Sequence, residues 1–205
     1  MLKLTVPGVP DTYQGTELFD FSLVDPDNRR PVDWERRETL LAQFEALDAG
    51  DDASGETGAV AAAVIEMRDA LARGDDGRLK LWLIRRLLHA RRADPALFAQ
   101  GGYTALPVLG PRRTGAVAFM RRHAGRTLLV IAGRKFASAG LDPQAPWDGS
   151  PWAGTRIAWP AALKGDVRGR DLLGGAPPPA FGEAIDLGQA LRVLPVAAWL
   201  FGDGG

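Results

Sequence analysis

The placement of proline is the feature that most constrains how this chain folds. Fifteen prolines occur in the 205 residues, yet none lies between Asp33 and Asp94. Because proline lacks an amide proton and disrupts helix interiors, a long proline-free interval favours helices, and a proline-rich one favours turns and strands. We therefore predict mainly helix over residues 33–93 and mainly strand over 103–200. A domain boundary is expected to divide the chain into 1–98 and 99–205.

Three amphipathic helices are predicted within the proline-free interval. Asp33 is a suitable N-cap for the first of them, and an acidic, glycine-rich flexible loop is expected from Asp48 to Gly58. The expected helix limits are Asp33 to Gly50, Val60 to Gly74, and Asp76 to Asp94. Their apolar stripes are expected to contain Leu40, Leu41, Phe44 and Leu47; Val60, Ala63, Val64, Met67 and Leu71; and Leu79, Leu83, Leu87 and Leu88.

The sequence of the second half of the chain predicts short strands separated by turn residues. Strands are predicted within 115–120, 126–131, 155–159, 167–173 and 191–197, and the first two are expected to form a hairpin. Such a series favours an antiparallel sandwich. The tryptophans at 147, 152 and 159 are expected to pack in its core, although a platform on which sugars stack is an alternative for them.

The amino-acid composition argues against several classes of function. Twenty-five basic and 25 acidic residues cancel, so no global field favours nucleic acid or an anionic membrane. The absence of cysteine excludes disulfides and thiolate zinc sites and fits a reducing compartment, so we expect a cytoplasmic protein. No signal peptide or membrane span is expected. The two histidines, His89 and His123, lie in no metal-binding pattern, and neither a metal nor a cofactor is expected.

A dense run of polar groups lies near the start of the chain. Residues 7–17 read Pro-Gly-Val-Pro-Asp-Thr-Tyr-Gln-Gly-Thr-Glu, and residues 25–34 read Asp-Pro-Asp-Asn-Arg-Arg-Pro-Val-Asp-Trp. This pattern indicates a short buried strand, expected at Leu2 to Val6, that runs into a loop able to hydrogen-bond hydroxyl groups. The sequence of these two stretches resembles the last strand and last βα loop of the catalytic barrel in the α-amylase superfamily, glycoside hydrolase family 13. Within that superfamily it is most similar to the malto-oligosyltrehalose synthases.

The resemblance continues along the chain with declining specificity. Residues 76–88 are similar to the last barrel helix of that family, and 94–98 and 101–103 also match. The implied fold is α+β: the last βα element and helices of a (β/α)8 barrel, followed by a C-terminal antiparallel β-sandwich. The carboxylates that perform the chemistry in this superfamily lie on earlier strands. No catalytic residue is therefore assigned, and the chain alone is expected to be inactive.

The resemblance also assigns substrate-binding residues. Arg29 occupies the position of the arginine that helps hold the sugar at the cleavage subsite. The alternative for Arg29 and Arg30 is that they brace the loop against Asp25 and Asp27, and this bracing role is favoured for the two aspartates. With the resemblance, Arg29 is favoured as functional and Arg30 as structural. The other residues expected to bind substrate are Tyr13, Gln14 and Glu17, which line the loop, together with Asp25, Asp27 and Arg30. Gly15 is expected to serve a backbone conformation that side chains disfavour.

The implied activity belongs to the whole enzyme. It is an intramolecular transglucosylation that converts the reducing-end α-1,4 linkage of a malto-oligosaccharide into an α,α-1,1 trehalose linkage. The expected partner is therefore a malto-oligosaccharide, with possible self-association of the chain through the truncated barrel region. The alternative function is a free-standing, non-catalytic carbohydrate-binding or interaction module.

Overall fold

A computed structural model describes residues 1–23, 25–54, 58–74, 77–139, 147–163, 169–180, 182 and 184–202. Helices occupy most of the first half, and all the described strands lie from Gly102 onward. Fewer than half of the described residues in 103–200 are in strands, so the prediction of mainly strand over that range is wrong in extent. The helices are α1 (Leu2–Thr5), α2 (Trp34–Ser54), α3 (Gly58–Ala72), α4 (Arg78–Ala93), α5 (Pro95–Gln100) and α6 (Leu187–Ala190). The strands are β1 (Gly102–Ala105), β2 (Val108–Leu109), β3 (Ala116–His123), β4 (Arg126–Gly133), β5 (Arg156–Ala158), β6 (Gly169–Asp171), β7 (Ala184–Asp186) and β8 (Val196–Phe201).

Two antiparallel sheets are formed by the described strands, and neither is closed into a barrel. The larger has the order β1-β3-β4-β8-β6, and the smaller has the order β2-β5-β7. The hairpin between β3 and β4 pairs Ala116 with Gly133 and His123 with Arg126. The predicted α+β class is confirmed at this level, as mixed helices and antiparallel sheets.

The larger sheet is buried on both faces. One face joins the helices in a single apolar cluster, and the other face joins the smaller sheet in a second cluster. Because side chains alternate along a strand, Leu128 and Val130 belong to the first cluster and Leu129 and Ile131 to the second. This explains why β4 is apolar without interruption from Leu128 to Ala132 instead of alternating with polar residues.

The predicted strand at Leu2 to Val6 is wrong, since α1 occupies Leu2–Thr5. A strand needs partners for its backbone groups, whereas one helical turn satisfies part of its own. Thr5 contributes by donating its hydroxyl to the Met1 carbonyl at 3.2 Å. The carbonyls left free at the end of the turn accept from two distant arginines: Arg91 reaches Leu4 O at 2.9 Å, and Arg121 reaches Thr5 O at 3.1 Å.

The first long helix begins as predicted and ends later. Asp33 accepts the amide of Arg36 at 2.9 Å, so its predicted capping role is confirmed. The predicted stop at Gly50 is wrong, because α2 continues to Ser54, and the expected loop from Asp48 is helical up to that residue. Glycine costs only about 1 kcal/mol in a helix interior. The carboxylate of Asp48, which accepts from Arg85 and Arg86 on α4, fixes this part of α2.

The other two predicted helices are largely confirmed. Val60, Val64 and Met67 are buried on α3, as expected. On α4, however, Leu88 is 43% exposed and does not belong to the apolar stripe, whereas Trp82 is fully buried. The expected cap Asp76 lies outside the described residues. At the other end α4 stops at Ala93, and Asp94 caps α5 by accepting the Leu97 amide at 3.2 Å.

The predicted strands are confirmed for the hairpin and for 155–159. Of the segment 167–173, β6 covers Gly169–Asp171, and residues 167 and 168 lie outside the described range. Of the segment 191–197, only the end is strand, since β8 begins at Val196. The division into domains 1–98 and 99–205 stays a prediction, although the first apolar cluster contains residues from both sides of it.

Candidate functional site

The polar segment between α1 and α2 is a loop with a tight turn at Tyr13 to Thr16. The Thr16 amide donates to the Tyr13 carbonyl at 3.0 Å, and the Thr16 hydroxyl donates to the same oxygen at 2.7 Å. Both Tyr13 and Gln14 are exposed at this turn. Gly15 has a φ of +88°, and a Cβ there would lie 3.1 Å from Val32 Cγ2, so the predicted backbone role of Gly15 is confirmed.

Arg37 fastens this turn to α2. Its guanidinium donates to the Gly15 carbonyl, to the Asp33 carbonyl at 2.8 Å, and to Glu17 Oε2 at 3.2 Å. The side chain of Arg37 is 12% exposed and that of Glu17 is 24% exposed. Glu17, expected to line the substrate loop, is thus already paired with an arginine that holds its carboxylate in place.

The second motif forms a short 3-10 helix, Asp27–Arg29, whose charged side chains pair with residues just outside it. Arg29 pairs with Asp25, and Arg30 pairs with Asp27. Asp27 also accepts the amide of Leu23 at 3.0 Å. The bracing contacts considered from the sequence are therefore present. Both arginines remain largely exposed, with 67% of the Arg29 side chain and 74% of the Arg30 side chain accessible to solvent.

A second anchor joins the loop to the start of α4. Lys80 donates to the Leu18 carbonyl at 2.9 Å, and its ammonium lies 5.3 Å from the centre of the Phe19 ring. Burial lowers the pKa of Lys80, while the carboxylate of Glu17 acts in the opposite direction. Leu18 is buried beneath this contact. The part of the loop from Gly15 to Leu18 is therefore held by α2 through Arg37 and by α4 through Lys80.

Exposed aromatic and polar groups surround these anchors. Phe19 and Phe21 stack with ring centres 6.0 Å apart, and Phe21 is 89% exposed. Hydrogen bonds from Ser22 lower the pKa of Asp20 between them. An open depression of about 300 Å³ lies at the start of α2, lined by Asp33, Glu35, Arg36, Thr39 and Leu40.

Sequence reasoning missed Arg37, Lys80 and the Phe19–Phe21 pair. A signal for Arg37 existed: it follows the capping Asp33 by one helical turn, where a long side chain can reach back toward the preceding loop. Lys80 and Phe19 are 61 positions apart by subtraction, and no local pattern connects them.

The three tryptophans considered as a sugar-stacking platform have a structural role. The indole nitrogens of Trp147, Trp152 and Trp159 donate to backbone carbonyls at 2.7, 3.1 and 2.6 Å, in agreement with the expected core role. Over the described residues no group of three or more histidine, aspartate or glutamate side chains could hold a metal ion. Within that same part of the chain, none of the helices has the length and apolar character to cross a membrane.

Comparison with known proteins identifies relatives for most of the chain. Over 165 residues, which are 80% of this chain, it is 33% identical to a protein provisionally named maltooligosyl trehalose synthase from Mycobacterium tuberculosis strain CDC 1551 / Oshkosh. The protein of the same name from strain ATCC 25618 / H37Rv matches to the same extent. The chain is homologous to part of these synthases. The resemblance inferred from the sequence is thereby confirmed.

The homology to the maltooligosyl trehalose synthases covers only a part of them. The chain spans about a sixth of their length, since the match occupies 17% of each relative, and this is consistent with a C-terminal part. No protein-family model matches the chain. The structure places the seven residues expected to bind substrate on one loop that precedes α2. Glu17 is tied to α2, and Asp25, Asp27, Arg29 and Arg30 are tied to one another.

Proposed function

We propose that this chain is the C-terminal part of a maltooligosyl trehalose synthase of the α-amylase superfamily. The observation that carries the proposal is the 33% identity to the mycobacterial relatives over 80% of the chain. In this proposal α2, α3 and α4 belong to the end of the enzyme's (β/α)8 barrel. The two sheets form its C-terminal β-sandwich. The absence of cysteine fits a cytoplasmic location.

The proposed reaction is an intramolecular transglucosylation of a malto-oligosaccharide. The α-1,4 bond to the reducing-end glucose is broken as the remaining glycosyl group forms a covalent bond to the enzyme nucleophile. The released glucose then displaces that nucleophile through its anomeric hydroxyl and forms an α,α-1,1 trehalose unit. The proposed role of this chain in the reaction is to hold that glucose and to exclude water while one glycosidic bond replaces the other. The carboxylates that make and break bonds come from the rest of the enzyme.

The loop from Tyr13 to Arg30 has the chemistry that such a role needs. It carries carboxylates, guanidiniums, an amide and a phenol, all able to bond to sugar hydroxyls. Arg37 fixes the backbone of this loop to α2, and Lys80 fixes it to α4. Binding of a sugar by the exposed side chains would therefore require little further ordering of the loop. The exposed aromatic and apolar side chains of the same loop are also the surface through which copies of the isolated chain would associate.

A chimera tests the proposal directly. The homologous segment of a mycobacterial relative is replaced by this chain, and formation of non-reducing products from maltopentaose is measured. We expect the chimera to be active and the isolated chain to be inactive. In the chimera, Arg29→Met is expected to lower kcat/KM by about a hundredfold, as loss of a charge-assisted contact of about 3 kcal/mol would.

Arg122→Met in the same chimera is the matched control, since Arg122 is an exposed arginine on β3, away from the loop. Full activity of the Arg29 variant would remove Arg29 from the proposed site. Trehalose-forming activity in the isolated chain would contradict the division of roles. Saturable binding of maltopentaose to an isolated, inactive chain, combined with an inactive chimera, would favour a free-standing binding module.

A further inference from the structure

A second site lies away from the loop, in a cavity between α4 and β6. The cavity has a volume of about 170 Å³ and is lined by Arg86, His89, Ala90, Ala93, Arg170 and Leu172. The four helical residues lie at helix spacing on one face of α4, and the last two belong to the edge strand β6 and the residues after it. This volume is below the roughly 300–1,000 Å³ of pockets for drug-sized molecules, so a small ligand fits it better.

Arg86 is a pre-positioned donor in the wall of this cavity. Its Nε donates to the Leu172 carbonyl at 2.9 Å, and its Nη1 donates to Asp48 at 2.8 Å. Its guanidinium also lies over the Trp82 ring, 5.2 Å from the ring centre. These contacts use part of the five N–H donors of the guanidinium and hold its plane in one orientation.

Arg170, an exposed residue of β6, supplies a second guanidinium at this cavity. Among the described residues, no hydrogen bond or ion pair holds its side chain. Burial lowers the pKa of Arg170, and the positive charges of Arg86 and Arg126 lower it further. The negative charge of the neighbouring Asp171 acts in the opposite direction. The Asp171 carboxylate is held in place by the amides of Leu173 and Ala176, which donate to it at 2.9 and 3.1 Å.

Among the described residues around the cavity, arginines outnumber carboxylates. The carboxylate of Asp48 forms ion pairs with Arg85 and Arg86, and that of Asp94 forms an ion pair with Arg126 at 3.0 Å. The C-terminal end of α4 contributes a partial negative charge of about half a unit, less than one guanidinium. His89, whose pKa is lowered by burial and by the charge of Arg85, remains neutral at pH 7 and offers a ring N–H donor.

We propose that this cavity is an anion-binding site that takes a small tetrahedral oxyanion, either phosphate or a phosphate monoester, between Arg86 and Arg170. Two guanidiniums facing one cavity match the several oxygens of such an anion, and charge-assisted bonds to it are stronger than bonds to neutral hydroxyls. The site is separate from the proposed sugar loop. Its occupant would bridge α4 and β6 and so join the helical layer to the large sheet.

The test uses the full chain and titrations with inorganic phosphate at constant ionic strength set by chloride. We expect the Nε–H signals of Arg86 and Arg170 to shift saturably in 15N–1H spectra, and the melting temperature to rise with phosphate concentration. Arg170→Gln should weaken phosphate binding at least about tenfold. The matched control is Arg122→Gln, which changes an exposed strand arginine outside the cavity and should leave binding unchanged.

A parallel titration with glucose 1-phosphate separates the two sources of the anion. Binding at least about tenfold tighter than inorganic phosphate identifies a sugar phosphate as the occupant, and equal or weaker binding identifies the free ion; either outcome supports the site. Two results would overturn the proposal. The first is that the Nε–H signals shift as much with chloride as with phosphate. The second is that the Arg170→Gln variant is folded and binds phosphate like the wild type.

Discussion

Arginine side chains tie distant segments of this chain together through backbone carbonyls. Arg91 reaches Leu4, Arg86 reaches Leu172, and Arg68 reaches Val193, at 2.9, 2.9 and 3.1 Å. A guanidinium suits this role because it presents five donors in a fixed plane on a long side chain. Each bond satisfies a carbonyl that the local secondary structure leaves without a partner.

Arg37 is the residue on which the order of the sugar loop depends. In Arg37→Met the Gly15 carbonyl and the Glu17 carboxylate both lose their donor, so we expect the free energy of unfolding to fall by about 1–3 kcal/mol. Hydrogen exchange at the Thr16 amide should also accelerate. Urea unfolding and exchange measured by NMR check both effects. Glu38→Gln, an exposed change on the same helix, should leave both within error of the wild type.

Asp171 makes stability depend on pH. Burial raises the pKa of Asp171 above its ordinary value of 3.8, despite the opposing hydrogen bonds from Leu173 and Ala176. The folded state therefore keeps this proton to a higher pH than the unfolded chain does. The stability linked to the proton is complete below pH 3.8 and is lost as the pH rises through the raised folded pKa.

The variant Asp171→Asn removes this titration. We expect a loss of about 1–3 kcal/mol at acid pH, since one amide oxygen must replace two acceptors. The free energy of unfolding of the variant relative to the wild type should then rise with pH. Urea unfolding at a series of pH values measures the slope. Asp20→Asn should give the opposite slope, because hydrogen bonds from Ser22 lower the pKa of Asp20. A flat or falling difference for Asp171→Asn would contradict the assignment.

At the scale of elements, α1 depends on partners far along the chain. A helix of four residues has no stability of its own in water. It persists because Leu4 and Thr5 are buried and because the carbonyls at its end accept from Arg91 and Arg121. Arg121 is 1% exposed, and both burial and the charge of Arg91 lower its pKa. Its guanidinium thus joins α1, α5 and β3 through the carbonyls of Thr5, Phe98 and Gly101.

Removal of the Arg121 guanidinium should therefore release α1 and destabilise the sheet edge together. Arg121→Met is expected to lower the free energy of unfolding by about 3 kcal/mol or more, because several buried carbonyls lose a charged donor. Arg121→Lys should be intermediate, since an ammonium cannot reproduce the planar fork. Denaturant unfolding measures both. The adjacent exposed Arg122→Met is the control, and a loss of the same size there would show that the effect is not specific to the buried network.

At the scale of the whole molecule, one apolar cluster joins the helices to the large sheet. It contains Phe44 and Trp82 from the helices and Phe119, Leu128 and Val130 from the strands. Trp82 also donates to the Leu173 carbonyl at 2.9 Å, which links α4 to the residues after β6. The second cluster lies between the two sheets and includes Leu187 and Ala190 of α6.

This shared cluster predicts a single cooperative unfolding transition for the full chain. Circular dichroism and tryptophan fluorescence should report the same midpoint. A fragment of residues 99–205 would expose the helix-facing side of the large sheet, so we expect it to lack a cooperative transition. A C-terminal sandwich with a sufficient core of its own would behave differently. A fragment that unfolds cooperatively at the midpoint of the full chain would support that alternative.

The sequence by itself determined the features that depend on local rules. The proline-free interval placed α2, α3 and α4, the β-rich runs at 115–120 and 126–131 placed the hairpin, and the two polar motifs located the homology to the synthases. These signals are local because proline, β-branched side chains and turn residues restrict the backbone wherever they occur.

Only the tertiary structure decided what local rules leave open. Leu2 to Thr5 could be strand or helix, and two arginines about 90 and 120 positions away stabilise the helical turn. Gly50 could end α2, but ion pairs from α4 to Asp48 hold the helix beyond it. The brace at Arg37 and the cavity between Arg86 and Arg170 likewise join residues far apart in the chain. Such contacts arise from packing, which brings together groups whose spacing along the sequence carries no periodic signal.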